Sequence, residues 1–268
     1  MEFVIDWPKW DTRRRGSRCG ESVGTLAIRT GGSGMDVTGK RALILGGTSG
    51  IGLATSKKLA ELGAEVIAIS RDPGRAGDIP EGITLRQCDT LDREALARLF
   101  AEYAPFEILV SAATGGTRAR GQLLEMDFEG YKASFAKLWG YVNVLQLGVP
   151  HVTQDGAIVL VSGTPARKAN PGQVAISSVG GAVEALVRTV ATEITPRRLN
   201  VVAPGTIDTP MSSLEGKERE EFYRNQTAKN LIPRAGTAEE VAQGILFVIQ
   251  NDFVTGTTID VDGGRLLS

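Results

Sequence analysis

The chain has 268 residues, with 30 basic and 31 acidic side chains interspersed and a formal net charge of −1. That balance argues against a nucleic-acid groove or an anionic membrane surface and leaves a small molecule as the expected partner. Two cysteines, Cys19 and Cys88, are too few for a disulfide framework, and no apolar run reads as long enough to span a bilayer, so a cytoplasmic compartment is expected.

Residues 1–34 hold Trp7, Trp10, the basic run Arg13-Arg14-Arg15 and a glycine cluster at Gly31, Gly32 and Gly34, without helical or strand periodicity. The apolar core of a secretory signal is missing, and the early acids argue against an organellar presequence. Two readings stand: a flexible or wrongly assigned leader before a natural start at Met35, or a tail that docks on a subunit neighbour. Residues 35–268 are read as one domain, long enough to bury a large core and not divided by a Pro/Ser-rich linker. From Lys40 onward, apolar runs at Arg41–Leu45, Val66–Ser70, Ile83–Gln87, Ile108–Ser111, Ala157–Ser162, Leu199–Ala203 and Thr258–Val261 predict strands. Helical spacing predicts helices over Leu53–Leu62, Asp92–Tyr103, Tyr131–Val149, Ser177–Ile194 and Ala238–Ile249. Seven strands alternating with helices imply an α/β fold with a doubly wound, Rossmann-type parallel sheet covered on both faces. The segment Met211–Asn230 is polar, and Glu215–Glu221 suggests only a mobile helix.

The first strand runs into Gly46-Gly47-Thr48-Ser49-Gly50-Ile51-Gly52, and an amphipathic helix follows. In that context Gly46 permits the tight turn, Gly50 lets backbone approach a pyrophosphate and Gly52 allows close helix packing, while the helix N-terminus offers free N–H donors to the anion. The second strand ends in Ser70-Arg71, where an acid would select NAD; an arginine fork suits a 2′-phosphate, so NADP(H) is the expected cofactor. Asp72 next to it weakens that inference, and Arg71 also reads as a solvated charge.

From about Gly39 to Gly264 these landmarks resemble the short-chain dehydrogenase/reductase superfamily. The resemblance implies an adenine contact at Asp89-Thr90, where Asp89 also reads as a helix cap. It implies room for the cofactor ribose at Ala112, although Ser111-Ala112-Ala113-Thr114 stands where the family usually shows Asn-Asn-Ala-Gly. It further assigns Pro204-Gly205-Thr206-Ile207-Asp208-Thr209 to the nicotinamide, with the backbone of Ile207 and the hydroxyl of Thr209 holding the carboxamide. The end Thr255–Gly264 would build the last strand and a subunit interface.

The family works with a Ser, a Tyr-x-x-x-Lys pair and an Asn on the fourth helix. Here no tyrosine lies between Tyr141 and Tyr223 and no lysine between Lys168 and Lys217; the matching positions are Ile176 and Gly180. Gly163 falls on the usual serine, with Ser162 immediately before it. Gly180 and Gly181 suggest close approach of something bulky: a substrate ring, Trp139 or a partner helix. The relay Asn matches Lys137, and Lys137 and Tyr141, four apart, could share one helix face as an inverted pair; alternatively Lys137 only grips the ribose and Tyr141 packs. His151 after Pro150 reads as a surface or capping residue, and Arg167, Lys168 and Asn170 can reach a substrate or stay solvated. No metal-ligand cluster appears. The expectation is an atypical NADP(H)-dependent oxidoreductase acting on a carbonyl or activated alkene, with Lys137 and Ser162 as catalytic candidates and a homodimer or homotetramer as assembly. Its rival is a catalytically silent NADP(H)-binding sensor or hetero-oligomer subunit.

Overall fold

Strands β1 (Arg41–Leu45), β2 (Glu65–Ser70), β3 (Ile83–Gln87), β4 (Phe106–Ser111), β5 (Val152–Val161), β6 (Arg198–Pro204) and β9 (Thr258–Val261) form one sheet in the order β3-β2-β1-β4-β5-β6-β9. Every pairing in it is parallel. This is a computed structural model, and it describes residues 34–114, 118–168 and 170–268. Apart from Gly34, the readings of residues 1–34 lie outside these.

Alternation along each strand divides the core in two. Leu43, Leu45, Ile67, Ile69, Leu109, Ile158 and Leu160 meet side chains from α2 (Arg93–Tyr103), α4 (Ala136–Gly148) and α5 (Val174–Glu193). Ala42, Ile44, Val66, Ile108, Val110 and Val159 meet α1 (Gly50–Glu61) and α7 (Ala238–Gln250) on the other face. Strands covered on both sides read as continuous apolar runs, which is why the sheet was legible in advance. The strand order reverses between β1 and β4, so the connections leaving their carboxyl ends diverge and open a crevice there.

The structure departs from the expected elements where side chains act over a distance. The helix expected over Tyr131–Val149 is two, α3 (Phe128–Ser134) and α4, meeting at Phe135. Ser134 Oγ donates back to the Gly130 carbonyl at 2.9 Å and accepts from the Ala119 amide at 2.9 Å, a tie that bends the helix and anchors an incoming loop. Strand β5 starts at Val152 rather than Ala157, beyond a register shift opposite Phe106 and Ile108. A parallel two-stranded pair, β7 (Ile207–Asp208) with β8 (Gly236–Thr237), was not expected at all. The segment read as a mobile helix runs on as α6 (Gly216–Thr227) and buries Tyr223 and Thr227. Arg219 fastens it, bonding Asp208 and the carbonyls of Ser212, Leu214 and Thr209.

The expectation that no apolar run reaches membrane-spanning length also needs correction. Helix α5 is 20 residues long and apolar enough by length and composition to cross a bilayer. In this fold it is a core helix: Val179, Val183, Val187 and Ala191 are buried, and Glu184 pairs with Arg167 Nε at 3.1 Å.

Candidate active site

The crevice at the strand-order reversal is a cleft of about 510 Å³. Its floor is the turn between β1 and α1. Gly46 has φ of +78°, and a Cβ there would lie 2.8 Å from the Ala113 amide nitrogen; a Cβ on Gly52 would lie 2.0 Å from the Gly46 carbonyl oxygen. Only glycine permits this turn and this close seating of the helix. The Leu53 amide bonds the Ser49 carbonyl at 3.1 Å, so the amides of Gly50, Ile51 and Gly52 before it carry no backbone acceptor among the described residues. Buried Ser56 locks the turn by donating to the carbonyls of Gly47 and Gly52.

Thr48, Ser49, Gly50, Ile51 and Gly52 line this end of the cleft together with Ser70, Arg71, Asp89, Thr90 and Ala112. Ser70 Oγ is buried without a hydrogen-bond partner among the described residues. Asp89 does not cap the following helix; Asp92 does, accepting from the Ala95 amide at 2.9 Å, while Asp89 accepts from Leu91. An array of open helix-N-terminal amides, a glycine cradle too tight for a Cβ, an orphaned hydroxyl and a neighbouring guanidinium fits a dinucleotide with a phosphorylated ribose. Pro204, Gly205, Ile207 and Thr209 line the same cleft farther along. They are held by the β7–β8 pair and by the Gly205 amide on the Val261 carbonyl at 3.0 Å.

At the other end lie Lys137, Ser162, Gly163, Ile176, Val179 and Gly180. Lys137 Nζ sits 3.5 Å from the Ser162 carbonyl oxygen and 5.5 Å from the centre of the Tyr141 ring. Burial, and then the charge of Arg118, push its ammonium down from 10.5 to about 7. Lys137 and Tyr141 do share a helix face, but the inverted pair is overturned. Tyr141 is 1 % exposed and donates its hydroxyl to the Val161 carbonyl at 2.8 Å, and burial raises its pKa. It is a core aromatic. Ser162 Oγ donates to the Gly180 carbonyl at 3.3 Å, which commits its one proton there.

The close approach expected at Gly180 exists, and Trp139 does not make it. Ala166, in the turn Thr164–Ala166, supplies it: a Cβ on Gly180 would lie 2.9 Å from Ala166 Cβ and 3.3 Å from Ser162 Oγ. Among the described residues a Cβ on Gly181 would meet nothing within 4 Å, and Trp139 is 56 % exposed. The volume left by a side chain at position 180 is therefore filled. Arg167 is likewise structural, joining buried Glu184 to Asp260, and Lys168 donates to the Arg265 carbonyl at 2.7 Å. His151 is absent from the cleft lining. Among the described residues no group of three or more His, Cys, Asp or Glu could hold a metal.

Sequence reasoning missed Arg118, Ser134 and Met211, which also line the cleft. Arg118 reaches Met211 Sδ at 3.1 Å. The residue is exposed as a whole, yet its guanidinium lies far enough into the cleft for burial to lower its pKa. No motif marks it, because its place depends on the Ala119–Ser134 tie. Cys88 lines the cleft too, its thiol pushed up to about 11 by burial and by Asp92 and Asp89, which leaves it unreactive.

Comparison with known proteins follows the same span. A family model described as enoyl-(acyl carrier protein) reductase matches residues 46–265. The 3-oxoacyl-[acyl-carrier-protein] reductase FabG of Thermotoga maritima is 35 % identical over 257 residues, covering 87 % of this chain and all of that one. Carbonyl reductase family member 4 of Xenopus tropicalis is 32 % identical over 85 % of this chain and 98 % of its own length. Among solved structures, a short chain dehydrogenase/reductase family protein superposes with a TM-score of 0.76 at 31 % identity, over 87 % of this chain and 100 % of that one. A small-chain dehydrogenase in complex with NADPH gives 0.73 at 28 % identity, over 85 % and 99 %.

Proposed function

The chain belongs to the short-chain dehydrogenase/reductase family, and from that premise we propose that it is an NADP(H)-dependent oxidoreductase of a carbonyl or activated alkene that works without the family's usual Tyr-x-x-x-Lys acid. One observation carries the reading. The glycine cradle beside Arg71 and the ammonium of Lys137 open onto one cleft, and Ile176 and Gly180, which the family resemblance matches to the missing pair, line it as well.

Residues Gly46–Gly52 would hold the pyrophosphate, Ser70 and Arg71 the ribose phosphate, Asp89 and Thr90 the adenine side and Ala112 the ribose. Pro204, Gly205, Ile207 and Thr209 would hold the nicotinamide. When bound, that cofactor supplies or accepts the hydride. Lys137 grips the ribose and holds a proton at Nζ that it can release near neutral pH, the range in which a general acid works best. Ile176 and Val179 keep that wall apolar and exclude water. Ser162 positions through its backbone carbonyl, which accepts from Lys137.

The same engagement of Ser162 favours the rival reading, a cofactor-binding subunit without turnover, since its hydroxyl is not free to donate to a carbonyl. NADPH consumption against activated ketones, enones and quinones separates the two: turnover abolished by Lys137→Met supports the enzyme, and NADPH binding without turnover supports the silent subunit. The protein is taken to be cytoplasmic. Assembly as a homodimer or homotetramer is supported by exposed Trp139, Phe247 and Phe253, and is checked by sedimentation.

A further inference from the structure

The ionisable side chains that line the cleft are unevenly placed. Arg71 and Asp89 stand at the nucleotide end, past β2 and β3; Arg118 and Lys137 stand at the end with Ser162, Ile176 and Gly180, where among the described residues no carboxylate lines the wall. Neither Arg118 nor Lys137 forms an ion pair among the described residues. Among the described residues the only polar contact of the Arg118 guanidinium is Met211 Sδ at 3.1 Å, and that of the Lys137 ammonium is the Ser162 carbonyl at 3.5 Å, with the Tyr141 ring 5.5 Å away. A thioether is a weak acceptor and leaves most of the five guanidinium donors to other partners. Two cations brought together in a partly desolvated cleft repel one another: burial and then the charge of Arg118 lower the proton affinity of Lys137, while burial and then the charge of Arg120 lower that of Arg118. Such an arrangement is costly for the protein alone and becomes favourable once an anion lies between them.

From this we infer that the substrate is a small oxo acid, with the carboxylate held by Arg118 while its carbonyl lies toward Lys137. The inference rests on the reading of this cleft as the reducing site. Arg118 matches a carboxylate with two parallel N–H donors, whereas Lys137 meets a single oxygen as a point charge. Apolar Ile176 and Val179, which line the same cleft, give such a substrate a dry face on its hydrocarbon side. Met211 would be displaced from the guanidinium on binding, which places substrate entry beside the segment between β7 and α6.

The test uses the full chain, acetoacetate and 2-oxobutanoate, and the methyl ester of each. Titration in the presence of saturating NADPH should give the acids at least about tenfold tighter binding than their esters, equal to about 1.4 kcal/mol. Arg118→Met should bring that ratio to about one, and Arg118→Lys should restore part of it. Equal binding of acid and ester, or a preference that survives Arg118→Met, overturns the inference. So does a loss of NADPH affinity in Arg118→Met as large as the loss for the acids, which would assign Arg118 to the cofactor. NADPH fluorescence titration reports separately on the cofactor reading. Should NADPH fail to bind, the same acid-to-ester ratio read by thermal shift in the unloaded protein still decides the anion subsite.

Discussion

Replacing Lys137 by methionine removes a charge from the cleft while keeping nearly the same volume. The folded chain holds this ammonium near 7 against an ordinary 10.5. A tenfold change in proton affinity is about 1.4 kcal/mol, so the charged form destabilises the fold by up to about 5 kcal/mol. Lys137 is only partly buried and the cleft admits solvent, which reduces this to about 2–3 kcal/mol. The ring of Tyr141 returns no more than about 1 kcal/mol of that. Between about pH 7 and 10.5 the unfolded chain keeps the proton that the folded chain has released, so stability rises with pH through that window. The penalty is complete below it and absent above it. Urea unfolding should therefore find Lys137→Met more stable than the parent by about 2–3 kcal/mol at pH 6 and by less than about 1 kcal/mol near pH 10. The same variant should lose about 10² or more in kcat/KM. A variant no more stable at pH 6, or one whose advantage is equal at both pH values, would refute the assignment of a partly desolvated, destabilising ammonium.

Arg71→Ala should erase most of an NADPH preference over NADH that is at least about tenfold in the parent, read by fluorescence titration; equal affinities in the parent would sink the 2′-phosphate assignment. Gly180→Lys, alone or with Ile176→Tyr, should lower the urea midpoint because the new Cβ would meet Ala166 at 2.9 Å, and adding Ala166→Gly should recover part of the loss; a fully stable double variant would show that the helix and turn separate freely. Removing residues 1–34 should leave the urea midpoint and NADPH binding as they are. Removing 1–38 also deletes buried Met35 and Val37 and the Met35 amide bond to Gln250, and should cost about 3 kcal/mol or more. Equal midpoints for the two truncations would overturn that accounting.

The sheet and its cofactor turn were legible in the chain because their determinants are local. Runs such as Ala42-Leu43-Ile44-Leu45 can be buried only on both faces, and Gly46 and Gly52 announce a turn whose backbone admits no Cβ. Every residue singled out for the cofactor lines the cleft; apart from Lys137, which stands on α4, they follow the carboxyl ends of strands, where strand identity largely sets position. Helix α5 shows the limit of composition: its apolar length suits a bilayer, and only its packing on the sheet and the Glu184–Arg167 pair make it a core helix. The reducing end of the site was less legible because its properties belong to pairs far apart in sequence. The break between α3 and α4 depends on Ser134 accepting from Ala119, the filled volume at Gly180 on a turn that precedes its helix, and the engagement of Tyr141 on a carbonyl of β5. Lys137 was visible as a residue. Its proton affinity was not, because that is set by burial and by Arg118, and only folding brings the two charges to one wall.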